Sequence, residues 1–93
     1  MVVGLLSVEL HLGFAQSLKD KRMVLRRVKD RLKKFNVAAA EVEHHDLWQR
    51  AALALVTVST NQAHADRELA AVGEEIERVE PGLIARTEVE FLT

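Results

Sequence analysis

His44, His45 and Asp46 stand together in this chain, with Trp48, Gln49 and Arg50 directly behind them. Upstream, Ser17 is followed by Lys19, Lys21 and Arg22. These types suit the capture of a phosphate or carboxylate. The first amides of a helix lack partners within it and lie at its positive end, and cations beside them strengthen the attraction. The candidate anion-binding set is therefore Ser17, Lys19, Lys21, Arg22, His45, Asp46, Trp48, Gln49 and Arg50. Asp46 offers a competing reading, in which it ties its turn to the helix and neutralises some of these cations itself.

A metal would need His11, His44 or His45, and Asp46 to converge as nitrogen and oxygen ligands. The chain contains neither HxH nor HExxH spacing, and adjacent histidines on a strand point to opposite faces. No metal and no cofactor is expected. Nucleophilic catalysis has little material: there is no cysteine, Ser17, Ser59 and Thr60 fall where helix caps are needed, and Ser7 has no base nearby. Glu41 and Glu43, two apart on a strand, share a face and would act as acid and base only inside a pocket. A small open sheet offers little enclosure, so both are read as surface charges, and a non-enzymatic protein is expected. Trp48 reads as a hairpin anchor against the edge of the core, with an interface anchor as the alternative.

The charge is strongly polarised. Nine of the thirteen Lys and Arg lie between Lys19 and Lys34, against Asp20 and Asp30, a net of +7 within a chain whose total is −1. Such a field speaks of anionic partners rather than of fold. Arg26, Arg27, Lys29, Lys33 and Lys34, with Arg22, form the candidate nucleic-acid-binding surface, and RNA or the ribosome is the expected partner.

The elements that carry these residues follow from periodicity. Val2 to Leu12 alternates as a strand. Ser17, with Asp20 three residues on, starts a helix whose apolar stripe is Leu18, Leu25, Val28, Leu32 and Phe35, with Asn36 as its stop. Val37 to Glu43 is a second strand, His44 to Gln49 a polar turn, and Arg50 to Ser59 a third strand. Asn61 and its neighbours cap a second helix carrying Ala65, Leu69, Val72, Ile76 and Val79, ended by Pro81-Gly82. Leu83 to Leu92 alternates again.

This βαββαβ order predicts an α+β, ferredoxin-like fold: a four-stranded antiparallel sheet of order 4-1-3-2 with both helices on one face. At 93 residues and 48% apolar content the chain is expected to form one globular domain, residues 1–93. No run reaches the ~20 apolar residues of a membrane span, and the first residues lack a signal peptide's basic leader. A cytoplasmic protein is expected. The topology brings His11, Lys19, Lys21, Arg22 and the 44–49 turn to one end. The open sheet face is expected to hold an apolar middle, from Val3 and Leu5, inside an acidic rim of Glu41, Glu43, Glu88 and Glu90. That face lacks the aromatic platform of an RNA-recognition module and would repel phosphates, so RNA is expected on the helical side. A homodimer through the open face, or a ligand-sensing or protein-interaction role, is the alternative.

S-L-K-D-K-R at 17–22 and A-E-V-E-H-H-D-L-W-Q-R-A at 40–51 resemble the YlxP-like family of small bacterial proteins. The likeness extends over nearly the whole chain. It implies a ferredoxin-like fold and a bacterial cytoplasmic protein. The family is one of unknown function, without agreed catalytic residues. Its genes tend to neighbour those of translation-initiation and ribosome-maturation factors, which implies a link to RNA or the ribosome. The motif positions here are Ser17, Leu18, Lys19, Lys21, Arg22, Glu41, Asp46, Trp48, Gln49 and Arg50.

Overall fold

The protein is described by a computed structural model covering residues 1–92. The order is β1 (Val2–His11), α1 (Leu18–Leu32), β2 (Ala38–Glu43), β3 (Arg50–Ser59), α2 (Gln62–Val79) and β4 (Ile84–Leu92). The sheet runs β2-β3-β1-β4 and all its pairings are antiparallel. This is the ferredoxin-like arrangement that the element order predicts. No helix among the described residues is long and apolar enough to cross a membrane.

Alternation on β1 sends Leu6, Val8 and Leu10 inward, where they pair with Leu55, Leu53 and Ala51 of β3 and meet Val28, Leu69, Val72 and Ile76 from the helices. Burying side chains of this size contributes about 1.5–3 kcal/mol each. Gly4 belongs to the same inward row. A Cβ there would lie 3.0 Å from a methyl of Leu69, so the absent side chain lets α2 approach the sheet.

Local chemistry fixes the helix ends. Ser17 Oγ accepts from the Asp20 amide (3.1 Å) and Asp20 Oδ2 accepts from the Gln16 amide (3.0 Å), a reciprocal cap. Asn61 caps α2 by accepting from the His64 amide at 2.8 Å. Gly82, with φ of 81°, supplies the left-handed turn into β4. Helix α1 ends sooner than the expected stop at Asn36. Phe35 reaches the core from the connecting turn instead. Asn36 there clamps β3, donating through Nδ2 to the Val58 carbonyl (3.0 Å) and accepting through its carbonyl from Thr57 Oγ1 (2.6 Å).

The two sheet faces part company at a bulge. Glu41 pairs with Leu53, which faces the helices, whereas Glu43 pairs with Ala52, which does not; the register shifts between them. Glu41 follows Ala39 inward by regular alternation, and the extra residue then turns Glu43 outward, so the two carboxylates expected on one open face lie on opposite sides. On the open face, Val3 lies between Val58 and Leu92 and Leu5 beside Val56 at one end of the strands. Glu9, Arg50, Arg86 and Glu88 occupy the other end. Polarity therefore changes along the strands. The expected apolar centre with an acidic rim survives only where Glu90, on the edge strand β4, flanks Leu5.

Candidate functional site

Helix α1 carries three sets of cations with three fates. Lys21 points inward and is 2% exposed. Its ammonium reaches Glu41 Oε2 (3.0 Å) and the carbonyls of His44 (2.8 Å), Arg50 (3.3 Å) and His45 (3.4 Å). An ammonium has three hydrogens to give, so these oxygens saturate it. Lys21 was expected among exposed anion-binding residues; instead it is an internal tie between α1 and the β2–β3 turn. Its partner is Glu41, which faces inward opposite Leu53, rather than Asp46.

The second set turns toward α2. Arg27 donates to Glu80 Oε2 at 2.9 Å. Glu75, 2% exposed in its side chain, lies 3.5 Å from Arg31, 3.7 Å from Lys34 and in contact with Arg78. Those three cations are themselves largely exposed, so a buried carboxylate is neutralised from the surface. Of the expected nucleic-acid set, Arg27 and Lys34 are thus already engaged with acids of α2.

The third set is the solvent face. Lys19, Arg22, Arg26, Lys29 and Lys33 succeed one another at spacings of 3, 4, 3 and 4, a single exposed helical stripe. Lys33 pairs with Asp30 at 3.1 Å. Among the described residues no ion pair engages Lys19, Arg22, Arg26 or Lys29. Arg22, Arg26 and Lys29 flank a groove of about 330 Å³ whose far side is Glu41 on the edge strand β2.

At the end of the molecule, the expected convergence of the 44–50 segment with β1 is real. His11, Asp46, Leu47, Trp48, Gln49 and Arg50 line one hollow of about 430 Å³. The turn beneath it is held on several sides. Gln49 Nε2 donates to the carbonyls of Gly13 (3.2 Å) and Ala15 (3.3 Å), the Leu12 amide donates to the Gln49 carbonyl (2.8 Å), and the Leu47 amide donates to that of His44 (3.1 Å). The His45 ring meets the Glu41 carbonyl at 3.1 Å. Trp48 is 50% exposed and so is not the core-edge anchor its position suggests. The amide groups at the start of α1 do not take part: Ser17 and Asp20 cap them, and Lys21 is spent.

Beside the hollow lies a cluster the sequence pattern did not suggest. His44 Nε2 is 3.4 Å from Glu9 Oε1 and 3.9 Å from Glu43 Oε2. The imidazole spans from β2 to β1 above Ala52, which lies between the two glutamates in register. His44 achieves this with φ of 64°, unusual for a residue with a side chain. His11 is not part of the cluster, so the convergence of His11, His44 and Asp46 considered for a metal does not occur. Arg50 approaches Glu9 Oε2 at 3.8 Å and already brings positive charge to the carboxylates. The signal for this group was the bulge, which a single sequence does not reveal.

Residues 3–89 match the model of a family described as "Protein of unknown function (DUF503)". This chain belongs to that DUF503 family. A family relative, the "Uncharacterized protein YlxP" of Bacillus subtilis (strain 168), is 36% identical over 69 residues, covering 73% of this chain and 75% of the relative. Among solved structures, the de novo designed protein Foldit4 is similar with a TM-score of 0.55 at 13% identity, covering 99% of this chain and 96% of the other. SnoaB, a cofactor-independent oxygenase from Streptomyces nogalater, is similar with a TM-score of 0.54 at 12% identity, covering 99% and 91%. At such identities the likeness is one of fold and brings no DUF503 activity with it.

Proposed function

We propose that this DUF503 protein is a non-enzymatic, cytoplasmic RNA- or ribosome-binding protein that engages its partner through the solvent face of α1. The observation that carries the reading is the stripe of Lys19, Arg22, Arg26, Lys29 and Lys33, most of which no carboxylate neutralises. Five residues on one helical face span about 21 Å at 1.5 Å per residue, long enough to meet several successive phosphates. Binding of this kind is driven by counterion release and falls steeply with salt. The acids of the open sheet face confine it to the helical side. Co-sedimentation with ribosomes and gel shift with single-stranded RNA at low salt test the reading. Retention at low salt and release at a few hundred millimolar salt is the expected result; no retention at any salt overturns it.

A second reading rests on a different observation. Val58 and Leu92 are 51% and 54% exposed on the open face beside Val3, which suits a homodimer joined through the sheet. Sedimentation equilibrium at high protein concentration decides it: a strict monomer removes this reading and leaves the first intact.

A further inference from the structure

From the hollow between the end of β1 and the β2–β3 turn, we infer a site for an unpaired guanine nucleotide, its base stacked on Trp48. The inference deepens the RNA reading, since it supplies a base contact beside a helix that reads only phosphates.

The hollow has the size of a small-ligand site, at about 430 Å³. Its walls are chemically unlike one another. Trp48 and Leu47 are 50% and 45% exposed, an apolar plane and its flank. His11 and Arg50 are directly paired across β1 and β3 and supply nitrogen donors on the sheet side. Asp46 supplies a carboxylate that accepts only. Among the described residues, no hydrogen bond or ion pair engages the Asp46 carboxylate, the Trp48 indole N–H or the His11 ring. These three lining side chains are thus free, while Gln49 is held by the carbonyls of Gly13 and Ala15 and Arg50 stands 3.8 Å from Glu9.

The backbone that carries them is not. Lys21 binds the carbonyls of His44, His45 and Arg50, and Gln49 binds those of Gly13 and Ala15. A buried lysine fully occupied in holding a turn that shows its tryptophan to solvent is the arrangement of a preformed binding site. An exposed indole face binds nucleobases by stacking. Arg50 and His11 then meet the attached phosphate. The carboxylate selects the base: guanine presents two adjacent N–H donors, N1–H and the N2 amino group, to which a carboxylate accepts in a fork, whereas adenine and cytosine present an acceptor beside their amino group.

The chain has one tryptophan and no tyrosine, so its near-ultraviolet emission reports on Trp48 alone. Titration with GMP is expected to quench it saturably. AMP, CMP and inorganic phosphate should require at least about tenfold higher concentrations, the discrimination that a bidentate base contact supplies. Asp46→Asn should remove the preference for GMP over AMP while leaving the fold, checked by circular dichroism, unchanged. Arg50→Ala should weaken all nucleotides alike. Absence of quenching at millimolar GMP, or an equal response to inorganic phosphate, overturns the inference. The two proposals fail separately. Salt-dependent RNA binding without GMP quenching leaves the helix reading and removes the base site. GMP quenching without RNA binding does the reverse.

Discussion

Lys21 and Arg22 are neighbours on one helix and have opposite fates. Lys21 is buried, with four protein oxygens around its ammonium. Arg22 is exposed and heads a stripe that continues through Arg26 and Lys29. A helix turns 100° per residue, so one step along the chain separates an internal tie from an external contact. Charge density within a segment therefore says little about availability. What decides it is which face the tertiary packing covers and where the acids lie.

The sharpest way to break the comparison is to remove the inward charge. Lys21→Met keeps the length of the side chain but leaves Glu41 without its cation and removes the lysine's hydrogen bonds to three carbonyls. Loss of one partner of a buried pair costs about 3–5 kcal/mol. Urea denaturation should show that loss as a lowered midpoint with an unchanged slope. Hydrogen exchange should show it as faster exchange in residues 44–50, because the lysine holds their carbonyls. A cost below about 1 kcal/mol would mean the tie is dispensable.

Between the two extremes stands Glu75, buried but served by exposed cations. Glu75→Gln retains the shape and removes the charge. Charge-assisted hydrogen bonds contribute about 1.5–3 kcal/mol, and a loss near the lower end is expected because Arg31, Lys34 and Arg78 are then free to hydrate. Those three would also become available to an anionic partner. RNA binding should tighten as stability falls, which gel shift and denaturation measure on the same protein.

Much of this division was legible, and its limits are physical. The βαββαβ order, the sheet order, and the meeting of β1 with the 44–50 turn all follow from periodicity and crossover handedness. Lys21 was misplaced although its signal was present. Leu18, Leu25, Val28 and Leu32 leave a gap in a 3-4-3-4 stripe, and position 21 fills it. A lysine at a core position of an amphipathic helix is an anchor with an acid to find. The acid itself, Glu41, could not be told from Glu43, because the bulge that turns Glu43 away to the open face depends on pairing between strands. Trp48 shows the opposite limit: residue type alone favours burial, while the polar turn that carries it is fixed from behind and faces outward. Glu75 adjoins Ile76 in the stripe of α2, and its burial reflects the crossing of α1 rather than any feature of its own helix.

The outward stripe should behave in reverse of Lys21. Arg22→Glu combined with Arg26→Glu is expected to change stability by no more than about 0.5 kcal/mol, as surface substitutions away from specific contacts do. RNA affinity should fall strongly. The dependence of log K on log salt should become shallower by about 0.7 for each lost phosphate contact on a single strand. A double variant that binds as well as the parent, with the same salt slope, would remove α1 from the interface while leaving the fate of Lys21 untouched.

The smallest effect comes from Arg27, which divides stripe from clamp. Its guanidinium is 62% exposed and donates to Glu80, the C-cap residue of α2. Exposed pairs contribute about 0.2–1 kcal/mol, because water screens them and two long side chains must be held still. Arg27→Ala should therefore cost a few tenths of a kcal/mol, seen as a slight shift of the denaturation midpoint. Its effect on RNA binding should be well below that of Arg26→Ala, although the two residues are adjacent and carry the same charge. An anion approaching Arg27 must compete with Glu80, whereas one approaching Arg26 meets no carboxylate paired with it. Equal losses of affinity from the two alanine variants would show that total charge on the helix governs binding. A larger loss at Arg26 would show that the position of the carboxylates does.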